Sequence, residues 1–374
     1  MEKVTTTAAL FLVLSLVLPA FSTPVVRATE DTWTKKAPMQ QARGRLGVAV
    51  VNGKIYAIGG DEGYYFGSAP NNHVYLGRQQ FVCTNEEYDP TSNKWTFKES
   101  MPTPRYHFGI AVYQNKIYCI GGYTSGGETG VNEAYDPETD TWETKAPMPT
   151  PRLRLDASVV DDKIYLIGGH TVDDYSVLNV SEAYDPLTDS WTTQTVSPPY
   201  RLRTEASVVV DNRIYFWGTT STPLPPYVED FIQIYDPESD SWSVEGPTPV
   251  YTSGAAVATT TGVFAPKKLH ILEQDSHQIY DPTNDSWTVG VPMQTPRSYA
   301  GIAVINDTLY VVGGVNLPLD NALIGEISAS AANEQYTPLG YIPEFPSWII
   351  LPLFLMTALF AVALKRRICY RSAT

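Results

Sequence analysis

The chain has 374 residues and a formal net charge of −14, from 40 acidic and 26 basic side chains. No basic stripe is present to neutralise phosphate, which argues against a nucleic-acid partner. Three cysteines, Cys83, Cys119 and Cys369, are too few and too far apart to hold a metal. Residues 1–28 carry Lys3 and then an apolar run from Ala8 to Phe21. A short apolar core ahead of ordinary soluble sequence predicts a secretory signal peptide, with an uncleaved N-terminal anchor as the alternative.

From Trp33 onward one pattern repeats. Tyr-Asp-Pro followed after four residues by Trp occurs at Tyr88…Trp95, Tyr135…Trp142, Tyr184…Trp191, Tyr235…Trp242 and Tyr280…Trp287. Each unit opens on a Pro-rich stretch ending in Arg, such as Met101-Pro102-Thr103-Pro104-Arg105, and passes to a small apolar strand such as Gly47–Val51. A polar turn comes next (Asn52-Gly53, Gln114-Asn115, Asp161-Asp162, Asp211-Asn212, Asn306-Asp307), and then a strand ending in Gly-Gly, as in Lys54–Gly60. A third strand closes on Tyr-Asp-Pro and a fourth starts at Trp. Val, Ile and Tyr favour strands, and the polar pairs tolerate the positive φ of tight hairpins. Proline removes a ladder donor and stops the third strand, while Trp and Tyr are large enough to fill the space between neighbouring sheets.

Unit one carries the longest insertion, 61–82, with Tyr64, Tyr65 and Phe66. These aromatics either stack on a ligand or form a local cluster on the rim. Units four and five depart from the pattern: Trp217-Gly218-Thr219 replaces the glycine pair in one, and Leu269–Glu273 contains no glycine in the other. Both are expected to be less regular. Acids in the repeated turns (Glu138, Asp140, Asp189, Glu238, Asp240, Asp285) are expected to solvate outer loops. The last unit, 297–338, has no following Trp, so Trp33 should supply its outer strand. Four short antiparallel strands per unit, closed this way, predict an all-β six-bladed β-propeller over 29–340. The loops joining strands two and three (61–82, 123–131, 170–180, 219–230, 315–330) should share a face with the connections between blades, leaving only tight turns on the other face. Function belongs on the long-loop face.

At the C-terminus, residues 341–347 form a linker and 348–364 an uncharged run, followed by Lys365, Arg366 and Arg367. This predicts a transmembrane anchor with 365–374 as a cytoplasmic tail and the propeller outside. Cys83 and Cys119 would then lie where oxidation is permitted, as a disulfide or as free thiols. Asn179, Asn284 and Asn306 head sequons and are candidate glycan sites in an exported chain.

The ordered Gly-Gly, Tyr and Trp resemble Kelch repeats over about 30–340, and Ile342-Pro343-Glu344-Phe345-Pro346 resembles the sorting signals of archaeal surface proteins. In Kelch domains that bind acidic peptides, the residues two positions after the connecting Arg line the central mouth. Carried onto this chain, that position implies Arg45, His107, Arg154, Arg203, Thr252 and Tyr299. Such a basic ring would attract a carboxylate, a sulfate or an acidic glycan. Alternatively, these side chains pair with acids such as Asp156 and Glu205 and only brace the mouth. The expected function is an extracellular, membrane-anchored module binding a protein, peptide or acidic glycan, with no cofactor, metal or catalytic residue assigned. The alternatives are a sugar-processing propeller enzyme, isomerase- or oxidase-like, and a structural cell-envelope protein. The scattered histidines His73, His107, His170, His270 and His277 show no ligand spacing.

Overall fold

In a computed structural model, residues 30–341 are described apart from 70–71, 76–79, 173–176, 195, 200–201, 221–229, 246–253 and 317–323. The predicted signal, anchor and basic tail lie outside the described residues. Every regular element among them is a β-strand, and Asp31–Gly340 forms one unit.

Six four-stranded antiparallel sheets follow in chain order. Blade one comprises Gly47–Val51, Lys54–Ile58, Asn85–Asp89 and Lys94–Lys98. Blades two to five repeat this arrangement from Gly109, Asp156, Leu202 and Ala256. Blade six takes Gly301–Ile305, Thr308–Val312 and Asn333–Thr337, and its outer strand is Thr32–Lys35, with Trp33 opposite Tyr336. The ring therefore closes by the exchange that the split repeat predicts.

The hydrophobic core is divided among the gaps between blades. One cluster joins Ala111, Tyr118 and Ile120 of blade two to Leu155, Ile164 and Leu166 of blade three, and equivalent clusters fill the other gaps. This explains the continuously apolar second strands, which are covered on both faces. The inner hairpins turn through paired left-handed residues, such as Asn52 (φ 52°) with Gly53 (φ 72°) and Asn306 (φ 51°) with Asp307 (φ 56°).

The turn acids hold structure as well as water. Tyr135 Oη donates to Asp140 at 2.6 Å, and the same Asp140 accepts the Glu99 amide of the preceding connection at 2.9 Å. Tyr184–Asp189, Tyr235–Asp240 and Tyr280–Asp285 repeat the bond. In blade six Tyr336 Oη donates to Asp31 at 2.7 Å, so the motif is completed across the two ends of the propeller. Four fully buried ion pairs also recur: Arg43–Glu86 (2.7 Å), Arg105–Glu133 (2.5 Å), Arg152–Glu182 (2.5 Å) and Arg297–Glu334 (2.9 Å). Each guanidinium also donates to a second-strand carbonyl: Ala57, Cys119, Leu166 or Val311. A buried charge is tolerable only with this degree of pairing.

The two irregular units differ in physically distinct ways. Elsewhere the glycine pair ends strand two in left-handed backbone. Gly60 has φ 101°, and a Cβ there would meet the Gly44 carbonyl at 2.5 Å. Blade four lacks the pair, so its strands run on to Leu202–Val210 and Arg213–Thr220, with a register shift between Thr204 and Ala206. In blade five strand two turns straight into strand three at Gln274-Asp275. Its long loop, 260–268, lies instead on the face expected to hold only tight turns. There the Asp307 carboxylate of blade six accepts the amides of Thr261, Val263, Phe264 and Ala265.

The 61–82 insertion is also not a plain loop. Gly63–Ala69 and Asn72–Tyr75 join Val315–Asn316 and Ile324–Ala329 in a separate four-stranded sheet linking blades one and six. Tyr64, Tyr65 and Phe66 lie in this sheet, opposite Ile327, Glu326 and Gly325. Gly63 (φ 89°) is required there, since a Cβ would sit 2.0 Å from the Ile327 carbonyl oxygen.

Candidate functional site

The connections between blades pair with the residues after each glycine pair: Gly44 with Asp61, Tyr106 with Tyr123, Leu153 with His170 and Ser298 with Val315. The long loops and the connections therefore share one face, around the axial channel. The channel encloses about 270 Å³.

At its mouth the backbone forms a chain of blade-to-blade hydrogen bonds. Tyr299 N donates to Gly254 O (2.8 Å), Arg45 N to Tyr299 O (3.0 Å), His107 N to Arg45 O (3.1 Å) and Arg154 N to His107 O (3.0 Å). Arg45, His107, Arg154 and Tyr299 all have φ between 49° and 55°. Left-handed backbone costs a bulky residue about 1–2 kcal/mol, a cost that glycine avoids. In blade five the position is filled by a glycine, Gly254 (φ 84°), whereas Thr252, placed there by spacing, lies outside the described residues. Arg203 does not occupy this turn: its backbone lies within the inner strand of blade four, opposite Thr219.

The side chains converge on Tyr299. The Arg45 guanidinium lies 5.4 Å from its ring centre and that of Arg154 5.5 Å, with the His107 ring edge-on at 5.4 Å. Arg45 is 8% exposed and bonds both carboxylate oxygens of the fully buried Asp61, at 2.8 and 2.6 Å. Asp61 is therefore an acid that braces the mouth, and the Glu205 side chain lies outside the described residues. Burial, with Arg154 and Arg45 beside it, holds the His107 imidazole well below its ordinary pKa, so it is neutral at physiological pH. Arg154 is half-buried beside the ring.

Below the mouth the wall comes from the first strands of the blades. The lining positions read Gly47-Val48, Ile110, Asp156-Ala157, Ala206-Ser207, Ala256-Val257 and Gly301-Ile302, those of blade four lying midway along its longer strand. Polar side chains occur at only two of these positions. Asp156 accepts the Ser207 amide (2.6 Å) and hydroxyl (3.0 Å), tying blade three to blade four. Burial raises the Asp156 pKa, and those hydrogen bonds oppose the rise.

Beside the mouth, a cleft between blades one and two is lined by Gln80, Phe81, Thr103, Pro104, Thr124 and Ser125. The Phe81 ring stacks on Tyr106 at 5.6 Å, and Tyr106 lies under Arg45 at 5.9 Å. An aromatic strip therefore runs from the axis to the cleft. The adjacent Phe81, Tyr106 and Tyr123 were not singled out in the sequence, where no repeat marks them.

Cys119 is fully buried and Cys83 half-buried, and both are free thiols. Of the sequon asparagines, Asn284 is exposed in a turn, Asn306 is exposed in a hairpin whose Asp307 and Thr308 are buried, and Asn179 is half-buried. Among the described residues no three His, Cys, Asp or Glu side chains gather to hold a metal.

Residues 47–263 match the model of the KLHDC2/KLHL20/DRC7 Kelch-repeats domain. Curated relatives include the influenza virus NS1A-binding protein homolog of Mus musculus, 37% identical over 86 residues, which are 23% of this chain and 11% of that protein. Alpha-scruin of Limulus polyphemus is 33% identical over 104 residues, 28% of this chain and 10% of that one. Kelch-like protein 36 of Rattus norvegicus is 31% identical over 94 residues, 25% and 14%. The matches thus span no more than 14% of these relatives' lengths. The solved structure of YjhT superposes with a TM-score of 0.61 at 15% identity, covering 79% of this chain and 95% of that one, a likeness of fold alone.

Proposed function

This chain belongs to the Kelch-repeat family, and on that premise we propose that it is a binding module whose ligand seats on the long-loop face, over the axial mouth. The observation carrying this reading is the backbone strain there. Four bulky residues, Arg45, His107, Arg154 and Tyr299, hold left-handed conformations, and strain retained in several repeats is a reason to look for function. Their side chains gather two guanidinium groups and an imidazole around one aromatic ring. Such a cluster suits a planar or anionic group of a protein or peptide segment, or of an acidic glycan. The cleft at Phe81 and Pro104 extends the surface for the remainder of a peptide.

Binding is favoured over catalysis because the most enclosed cation at the mouth is already committed and the histidine there titrates far below neutral pH. Arg45 is held by Asp61, and His107 stays neutral. A protein partner also agrees with the ligand named in the influenza virus NS1A-binding protein homolog. In the same reading residues 1–28 direct export, 341–347 act as a sorting motif and 348–364 anchor the propeller outside the membrane, with the basic tail inside. The two apolar runs and the Lys365–Arg367 cluster support this.

The test is to probe the immobilised chain with arrays of acidic peptides and acidic glycans, then repeat with Arg154→Ala and Tyr299→Ala. Loss of roughly tenfold or more in affinity in both variants, about 1.4 kcal/mol, supports the mouth. Ligands that bind both variants as they bind the original chain would exclude it.

A further inference from the structure

At three seams a single carbonyl clasps two blades. Glu99 O accepts Asn85 Nδ2 of blade one (3.3 Å) and Trp142 Nε1 of blade two (2.8 Å). Ala146 O accepts Asn132 (3.2 Å) and Trp191 (2.9 Å), and Ala37 O accepts Asn333 (3.4 Å) and Trp95 (2.8 Å). Each pair joins an amide and an indole, neither of which titrates. At the seam between blades five and six Val291 O takes the same two bonds. Trp33 Nε1 supplies one (2.8 Å), but an imidazole, His277 Nδ1 (3.0 Å), supplies the other.

The substitution brings a second histidine with it. A carbonyl oxygen only accepts, so His277 carries its proton on Nδ1 and its Nε2 is an acceptor. His270 Nδ1, 2.9 Å away, therefore donates to it. His270 Nε2 is left enclosed without a hydrogen-bond partner. The two residues are 2% and 1% exposed. A further proton has no acceptable place. On His270 Nε2 it makes a buried cation without an acceptor, and on His277 Nε2 it sets two donors against each other. The Gly290 backbone packs closely on the same ring, since a Cβ there would lie 2.5 Å from His277 Nδ1.

The surroundings sharpen the effect. Lys268, just before the His270 strand, repels a proton there. Asp31 of the N-terminal segment attracts one to His277, but its carboxylate is engaged by Tyr336 Oη. The remaining partners are the Trp33 ring at 5.9 Å, the Tyr336 ring at 4.7 Å from His277 and 5.7 Å from His270, and the apolar Met293 and Leu272.

We infer that this seam is an acid-sensitive latch, in which protonation of the His270–His277 pair frees the N-terminal strand Thr32–Lys35 from blade six before the other blades open. Burial pulls His270 to about 3 and His277 to about 4, from an ordinary value near 6.5. Both folded values are depressed, so the opened seam binds protons more readily than the closed one. The closed seam is fully favoured above about pH 6.5. Each histidine then shifts the equilibrium toward opening by up to about tenfold per pH unit as pH falls toward 4.

Amide hydrogen exchange of the full chain, compared at about pH 7.5 and about pH 5 after correction for intrinsic rates, reads this directly. Protection of Thr32–Lys35 should fall at least about tenfold relative to the equivalent outer strand of blade two, Thr141–Lys145. His277→Asn, which restores the amide used at the other seams, should retain protection at the lower pH. A parallel loss in both strands of the original chain would overturn the latch, as would an equal loss in His277→Asn. Should that variant fail to fold, the two-strand comparison in the original chain decides alone.

Discussion

Trp33→Ala tests ring closure at a single side chain. Trp33 is 6% exposed, packs on the Tyr336 ring at 5.0 Å and the His277 ring at 5.9 Å, and donates to Val291 O at 2.8 Å. Truncating a buried Trp costs about 3–5 kcal/mol. Val291 O keeps its bond from His277, so no additional orphaned acceptor needs counting. A loss of about 4 kcal/mol should lower the melting temperature by roughly 10 °C, at about 2–4 °C per kcal/mol for large domains. The assay is urea denaturation followed by circular dichroism, with Trp142→Ala as reference. Trp142 makes the same type of bond, to Glu99 O at 2.8 Å, but is only half-buried, so its replacement should cost less. If Trp33→Ala changes stability by under about 1 kcal/mol, or by less than Trp142→Ala, the N-terminal strand is not an integral part of blade six.

Glu182→Gln leaves Arg152 charged and buried beside a neutral amide, and should cost about 3–5 kcal/mol in the same denaturation assay. Asp307→Ala strips the acceptor from four amides of the 260–268 loop. It should destabilise by about 2 kcal/mol or more and open that loop to limited proteolysis, with unchanged cleavage arguing against the staple. Cys119, fully buried with its thiol pushed up to about 12, should resist iodoacetamide in the native chain, while the half-buried Cys83 reacts. Equal labelling of both under native conditions would contradict the packing of blade two.

Much of the ring was legible because its signals are local and repeated. Tyr-Asp-Pro…Trp marks a strand, a proline stop and a strand in one short window, and a split last unit can be completed only by the N-terminal Trp. The buried Arg–Glu pairs were half legible. The Arg at the end of each Pro-rich stretch stood out, but its partner is a lone Glu two residues before each Tyr, tens of residues downstream. The turn acids were read as solvating because their bond to Tyr five residues back depends on a left-handed turn that composition does not announce.

At the candidate site the sequence supplied the ring position but not its occupancy. Arg45 reads as an available cation until Asp61, sixteen residues away, is folded against it. Spacing placed Thr252 at the ring position, where it is Gly254 that accepts the Tyr299 amide.

The amino-acid order alone determined the number of blades, the strand order and the means of closure, since these follow from short-range periodicity and turn chemistry. Tertiary structure alone decided which charges are spent on the scaffold and which face the channel. It also turned His277 from a scattered histidine into part of a titratable clasp, because pairing and burial depend on residues brought together from different blades.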